Sequence, residues 1–103
     1  MTMHELQIRA VLNQYCDQHG GGGREIEITP GRFGGYYVSL VWDGFVHQGL
    51  GDRLYALGKC LIEGLGDGVF LVVRKFNPVT FSERAEQHAL AGANAREPDW
   101  IPA

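Results

Sequence analysis

The sequence predicts an α+β fold, a two-layer sandwich with the order α-β-β-α-β-(α), in which a three-stranded sheet carries helices packed on one face. Three observations carry this. Leu50, Leu54, Leu57, Leu61 and Leu65 recur at the spacing of one helix face. Glu25-Ile26-Glu27-Ile28 alternates polar and apolar, the two-residue repeat of a half-buried strand. Val69 to Phe76 is an apolar-rich run bounded by Asp67-Gly68 and Asn77-Pro78, as a well-buried strand would be.

The remaining elements follow in order. Residues 3–18 place Leu6, Ile8, Val11, Leu12 and Tyr15 among polar neighbours in the pattern of a surface helix. That helix stops at His19, because Gly20 can take the left-handed C-terminal position and Gly21 to Gly23 continue as a loop. After the strand at Glu25 to Ile28, Pro30-Gly31 suits a tight turn and leads to Tyr36 to Trp42. This second strand is rich in aromatic and β-branched residues and is expected at the sheet centre, with Tyr36, Val38, Leu40 and Trp42 on one face and Tyr37, Ser39 and Val41 on the other. The leucine helix spans Leu50 to Leu65 and must return the chain across the sheet, so the third strand runs parallel to the second, beside it or beyond the first. Ser82 reads as the cap of a short helix over Glu83 to Leu90. Residues 1–91 thus form a single domain and 92–103, with Pro98, Trp100 and Pro102, a tail.

The third strand reads as apolar on both faces through Val69, Phe70, Leu71, Val72 and Val73, so the second sheet face needs a cover. The C-terminal segment with Leu90, Trp100 and Ile101 is one candidate. A second copy of the chain is the other, and a homodimer is expected.

Composition narrows the functional classes. The 103 residues, 45% hydrophobic and 11% aromatic, suffice for one core and leave no room for a second domain. A net charge of −3 gives no general attraction to phosphate backbones, so nucleic acid is a partner only through a local patch and is not favoured. The start Met1-Thr2-Met3-His4-Glu5-Leu6 has neither the basic flank nor the apolar run of a secretory signal, and no stretch approaches the roughly 20 apolar residues of a membrane span. A cytoplasmic location and reduced Cys16 and Cys60 are expected.

Candidate sites are few, and each has a structural reading beside it. Cys16 and His19 stand in C-x-x-H spacing and, with His47 or Cys60, form a possible nitrogen and sulfur set for zinc. A zinc finger needs two such pairs and this chain has one, so a solvated helix terminus explains His19 as well. Cys60 with His47 as base is the sole thiol-chemistry pairing that the loops suggest, against Cys60 as a small core residue. The loop Gly44 to Gly51 leads into a helix N-terminus suited to an anion, but it matches neither nucleotide-binding glycine motif and Asp52 opposes it. Glu25 and Glu27 share a strand face, as paired carboxylates or as a solvent edge. No motif implies a cofactor. Tyr37, Trp42, His47, Arg53 and Arg74 are the candidate binding residues, drawn from the mix of arginines (Arg24, Arg32, Arg53, Arg74), Lys75 and aromatics around the sheet, which can stack bases and neutralise phosphates.

The predicted order resembles the type II KH-like arrangement of RNA-binding KH domains and of the BolA-like proteins, regulators that pair with glutaredoxins around iron-sulfur chemistry. Over residues 36–76, Phe45 with Arg53 eight residues later, then a helix and an apolar strand, is similar to the BolA-like segment before its main helix. The chain has Leu54 where the BolA-like pattern places a histidine, and it lacks the basic G-x-x-G loop of KH domains. The resemblance implies a regulator touching nucleic acid or metal. The leading expectation from the residues themselves is a non-enzymatic domain, self-associating or binding a protein partner through its sheet face or a strand edge. A small thiol or hydrolytic enzyme ranks last.

Overall fold

Helix α1 (Met3–Gln18), strands β1 (Arg24–Pro30) and β2 (Tyr36–Trp42), a 3-10 turn (Asp43–Phe45), helix α2 (Leu50–Leu65), strand β3 (Val73–Val79) and helix α3 (Phe81–Asn94) succeed one another in the computed structural model. It describes residues 3–66, 68 and 72–94. The sheet order is β1-β2-β3, with β2 at the centre as its aromatic and β-branched content predicts. β1 pairs antiparallel with β2, placing Ile26 opposite Leu40 and Ile28 opposite Val38. β3 lies beside β2 and parallel to it, which resolves the two placements the crossover rule left open.

Alternation along β2 sorts the layers. Val38, Leu40 and Trp42 face Ile8, Leu12, Tyr15 and Cys16 of α1 and Leu57 and Leu61 of α2, with Phe45 from the 3-10 turn closing one end. Each large apolar side chain buried here contributes roughly 1.5–3 kcal/mol. The two helices approach closely where Gly64 meets Val11: a Cβ on Gly64 would sit 2.7 Å from Val11 Cγ2. α1 stops where expected, the Gly21 amide donating to the Cys16 carbonyl at 2.7 Å with Gly20 and Gly21 at positive φ.

β3 departs from expectation. It begins at Val73 and runs through Asn77-Pro78 to Val79, where the sequence signals a stop. Proline ends a central strand because it lacks the amide the ladder needs, but β3 is an edge strand, where that loss is tolerated. Over its described length β3 is not apolar on both faces, since Lys75 and Asn77 pair with Tyr37 and Ser39 on the second face and Lys75 is exposed. Val69, Phe70 and Leu71 lie outside the described residues.

The layer of α1 and α2 on one face is as expected, and α3 adds a partial cover on the other. Gln87 exchanges amide hydrogen bonds with Asn77 at 3.0 Å, and Arg84 pairs with Glu25, whose neighbour across the ladder is Val41. The start of α3 is set by Thr80 rather than Ser82: the Glu83 amide donates to Thr80 Oγ1 (3.2 Å), and the Thr80 amide donates back to Glu83 Oε1 (2.8 Å). This reciprocal capping box satisfies two terminal amides where a lone serine satisfies one. The helix continues to Asn94, past the position where the sequence predicts a tail; Trp100 and Ile101 lie outside the described residues.

Candidate functional site

Arg53 organises the junction of α2, β3, α3 and the 3-10 turn. It is 6% exposed. Its Nε donates to the Gln48 carbonyl (2.9 Å), Nη2 to the Phe45 carbonyl (3.1 Å), and Nη1 to the Pro78 carbonyl (3.1 Å) and to Glu83 Oε1 (2.6 Å). The guanidinium also lies 5.3 Å from the Phe45 ring centroid. The planar fork is what lets one side chain serve four acceptors. Glu83 is held below the usual carboxylate range, first by the hydrogen bond from Arg53 and then by the Thr80 amide.

Both sheet edges are thereby guarded. On β3, Pro78 has no amide to offer a new strand, Arg53 occupies the Pro78 carbonyl, and the register shifts at Arg74 as an edge bulge. On β1, Arg9 Nη1 donates to the Ile26 carbonyl at 3.0 Å. An arginine from the helical layer reaches a carbonyl of each edge strand, so strand addition, one of the two docking routes the sequence suggests, meets a blunted edge on either side.

Between α2 and β3 runs an open groove. It is a hollow of about 230 Å³ lined by Leu54, Leu57, Gly58 and Leu61 on α2 and by Phe76 on β3, with Arg74 and Lys75 at its rim. A separate hollow of about 400 Å³ lies beside Leu50, Asn77 and Pro78, rimmed by Glu83, Glu86 and Leu90 of α3. Leu54 and Leu50 are one helical turn apart on α2, but Phe76 and Asn77 face opposite sides of β3, so the two hollows flank that edge strand. Leu50 is 60% exposed and Leu54 41%. The first hollow is apolar along its floor with Arg74 and Lys75 at its rim, and the second carries Glu83 and Glu86.

Of the binding residues expected from sequence, Arg74 lies on this groove. Trp42 is buried in the core, its Nε1 donating to the Gly21 carbonyl (2.8 Å) and its ring edge-on to Tyr15 and Phe45. Tyr37 is buried on the second face, where its hydroxyl accepts the Arg32 amide at 3.3 Å. His47 is exposed in the loop before α2, and Arg53 is enclosed as described. The five are not brought together. The arginine and aromatic mix is similarly dispersed, Arg24 being tied to Asp17 at 2.6 Å and to the Asn13 and Gly22 carbonyls.

Cys16, His19, His47 and Cys60 do not converge, and no cluster of three or more potential ligands occurs among the described residues. His19 stacks on Tyr15 with Nδ1 2.8 Å from the Tyr15 carbonyl, a helix-terminal contact. Burial pushes the Cys16 thiol up to about 11 and raises that of Cys60 as well, which keeps both protonated and poorly nucleophilic at neutral pH. Glu25 is held ionised by Arg84 and faces α3, so it does not form a carboxylate pair with Glu27 poised for proton transfer.

Sequence reasoning missed Leu50 and Leu54 as surface residues. Leu50 sits at nearly the same helical angle as the buried Leu57 and Leu61, but about two to three turns earlier, at the first turn of α2. Periodicity reports angle and carries no signal for axial position. Among the described residues no helix is long and apolar enough to cross a membrane. The chain matches no protein-family model, and no curated protein or solved structure is significantly similar to it.

Proposed function

We propose that the chain is a cytoplasmic, non-enzymatic interaction module that docks a polypeptide partner in the groove between α2 and β3. The observation that carries this is the pair Leu50 and Leu54, large apolar side chains one helical turn apart on α2, left 60% and 41% exposed, with Leu54 on the wall of the hollow against β3. This relocates the docking surface expected at the sheet face or a strand edge. The second face is partly covered by α3, and the edges are blunted. The two protonated thiols and the dispersed histidines favour this reading over thiol or metal chemistry.

A photo-crosslinking amino acid at Leu54, compared with one at Glu27 on the opposite face, tests the proposal in the native host. Polypeptide adducts should form at position 54 and not at 27. Adducts at 27 alone, or at neither position, would remove the groove as the docking surface.

The second reading, a KH-like or BolA-like regulator, is favoured by one observation. β3 lies parallel beside β2, and Phe45 and Arg53 are in direct contact, so the eight-residue spacing behind the resemblance has a physical basis. Salt-dependent binding of single-stranded RNA that is lost on reversing Arg74 and Lys75 would support it over the first.

A further inference from the structure

We propose that the polypeptide docking between α2 and β3 is an acidic segment that inserts one large apolar side chain into the hollow walled by Leu54, Leu61 and Phe76. The inference rests on the groove being a docking surface and adds the chemistry of the partner. The room comes from α2 itself. Gly58 stands in the helix wall, and a Cβ there would meet no heavy atom within 4 Å, so the middle of that wall is open. A cavity of about 150 Å³ takes a benzene ring, and the 230 Å³ here, floored by Leu57, Leu61, Val73 and Phe76, has room for one leucine- or phenylalanine-sized side chain.

Charge selects what surrounds that side chain. The net charge is −3, yet the charged residues lining this hollow are both cations, Arg74 and Lys75. Both are exposed, and neither holds an ion pair with the described residues. The hollow on the other side of β3 has the opposite sign at its rim, Glu83 and Glu86, with Arg53 enclosed behind them. An acidic segment is drawn to the first hollow and repelled by the second, so the two sides of the edge strand sort partners by sign. Apolar burial then supplies affinity and the rim supplies specificity. The floor is aliphatic apart from the half-buried Phe76, which suits an apolar side chain beside carboxylates better than bases stacked along a phosphate backbone.

Nuclear magnetic resonance titration of the full chain with a short capped peptide, one leucine between glutamates, is the measurement. Its controls replace the glutamates by lysine or the leucine by glycine. Amides of Gly58, Leu61 and Phe76 should shift with the glutamate peptide, and both controls should bind about tenfold more weakly or worse. Gly58→Leu fills the hollow and should weaken the glutamate peptide by about tenfold. Arg74→Glu with Lys75→Glu should turn the preference toward the lysine peptide; because Arg74 packs over Gly35, Lys75→Glu alone is the milder variant and should narrow the preference. Circular dichroism melts matching the wild type would confirm that each variant keeps the fold. No shifts at these amides, a lysine peptide that binds as well as the glutamate one, or binding untouched by Gly58→Leu would overturn the inference. Shifts there with single-stranded RNA and none with the peptide would overturn it in favour of the regulator reading. Photo-crosslinks from Leu54 that map to basic or uncharged segments in the native host would overturn it while leaving the docking surface standing, whereas the absence of crosslinks at position 54 removes the docking surface itself.

Discussion

Arg53 shows what one residue can hide. Its place in the sequence, eight residues after Phe45 and within an amphipathic helix, is compatible with a cation offered to a ligand. The fold instead turns it inward, where it satisfies the carbonyls of Phe45, Gln48 and Pro78 and neutralises Glu83. A buried carbonyl stripped of its donor costs about 1–3 kcal/mol. Arg53→Ala strips three at once and leaves Glu83 without its counter-charge, so a loss of roughly 3–5 kcal/mol is expected in urea unfolding. Arg53→Lys keeps the charge but not the fork, and should lose about 2 kcal/mol. Losses under about 0.5 kcal/mol in both variants, the level of an ordinary surface substitution, would show the network to be incidental. Trp42 illustrates the same limit of sequence reading. An aromatic side chain on a strand faces either layer or solvent with equal plausibility until the elements that pack on that face are known, and here they bring Tyr15 of α1 and Phe45 of the 3-10 turn against the ring.

Among elements, legibility followed how local the signal is. α1, β2 and α2 were readable because periodicity and glycine stops act within one segment. β3 was misplaced because the meaning of Pro78 depends on whether its strand lies at the centre or the edge, which a single segment cannot report. The start of α3 differs for another reason: Ser82 is a capping residue by type, but the Thr80-x-x-Glu83 capping box two residues earlier satisfies two terminal amides and sets the start. Glu83 therefore both caps α3 and tethers it to Arg53, which gives the element a pH dependence of definite sign. Its carboxyl titrates lower in the folded chain than its ordinary value of 4.5. The stabilisation is complete above that ordinary value and is lost as pH falls through the lower folded one. Glu83→Gln should cost roughly 1 kcal/mol at pH 7 and should flatten the wild type's decline in stability between about pH 5 and 3. A wild type and variant whose unfolding midpoints fall in parallel across that range would exclude Glu83 as the source of the decline.

At the scale of the whole molecule, two kinds of adhesion divide the fold. The helical layer is held to the sheet by apolar burial at Ile8, Leu12, Val38, Leu40, Leu57 and Leu61, each no more than 3% exposed. α3 is tied to the other face by polar contacts: Arg53 with Glu83, Arg84 with Glu25, and Gln87 with Asn77. Partly exposed ion pairs are worth little individually and weaken with salt, whereas apolar burial is nearly indifferent to it. The chain should consequently open in two steps, α3 first and the sheet with α1 and α2 last. Native-state hydrogen exchange would resolve them. Amides of Arg84 to Leu90 should exchange through a sub-global opening whose free energy lies below that of Val38 and Leu40 and falls further between about 50 and 500 mM salt, while the β2 amides track global unfolding. Because Glu83 and Glu86 rim the hollow beside Leu50, that opening would also take this hollow apart, so conditions that release α3 should weaken whatever docks at Leu50. Exchange of α3 and β2 at one common free energy, independent of salt, would mean instead that α3 belongs to the core and that the hollow beside Leu50 is a fixed surface.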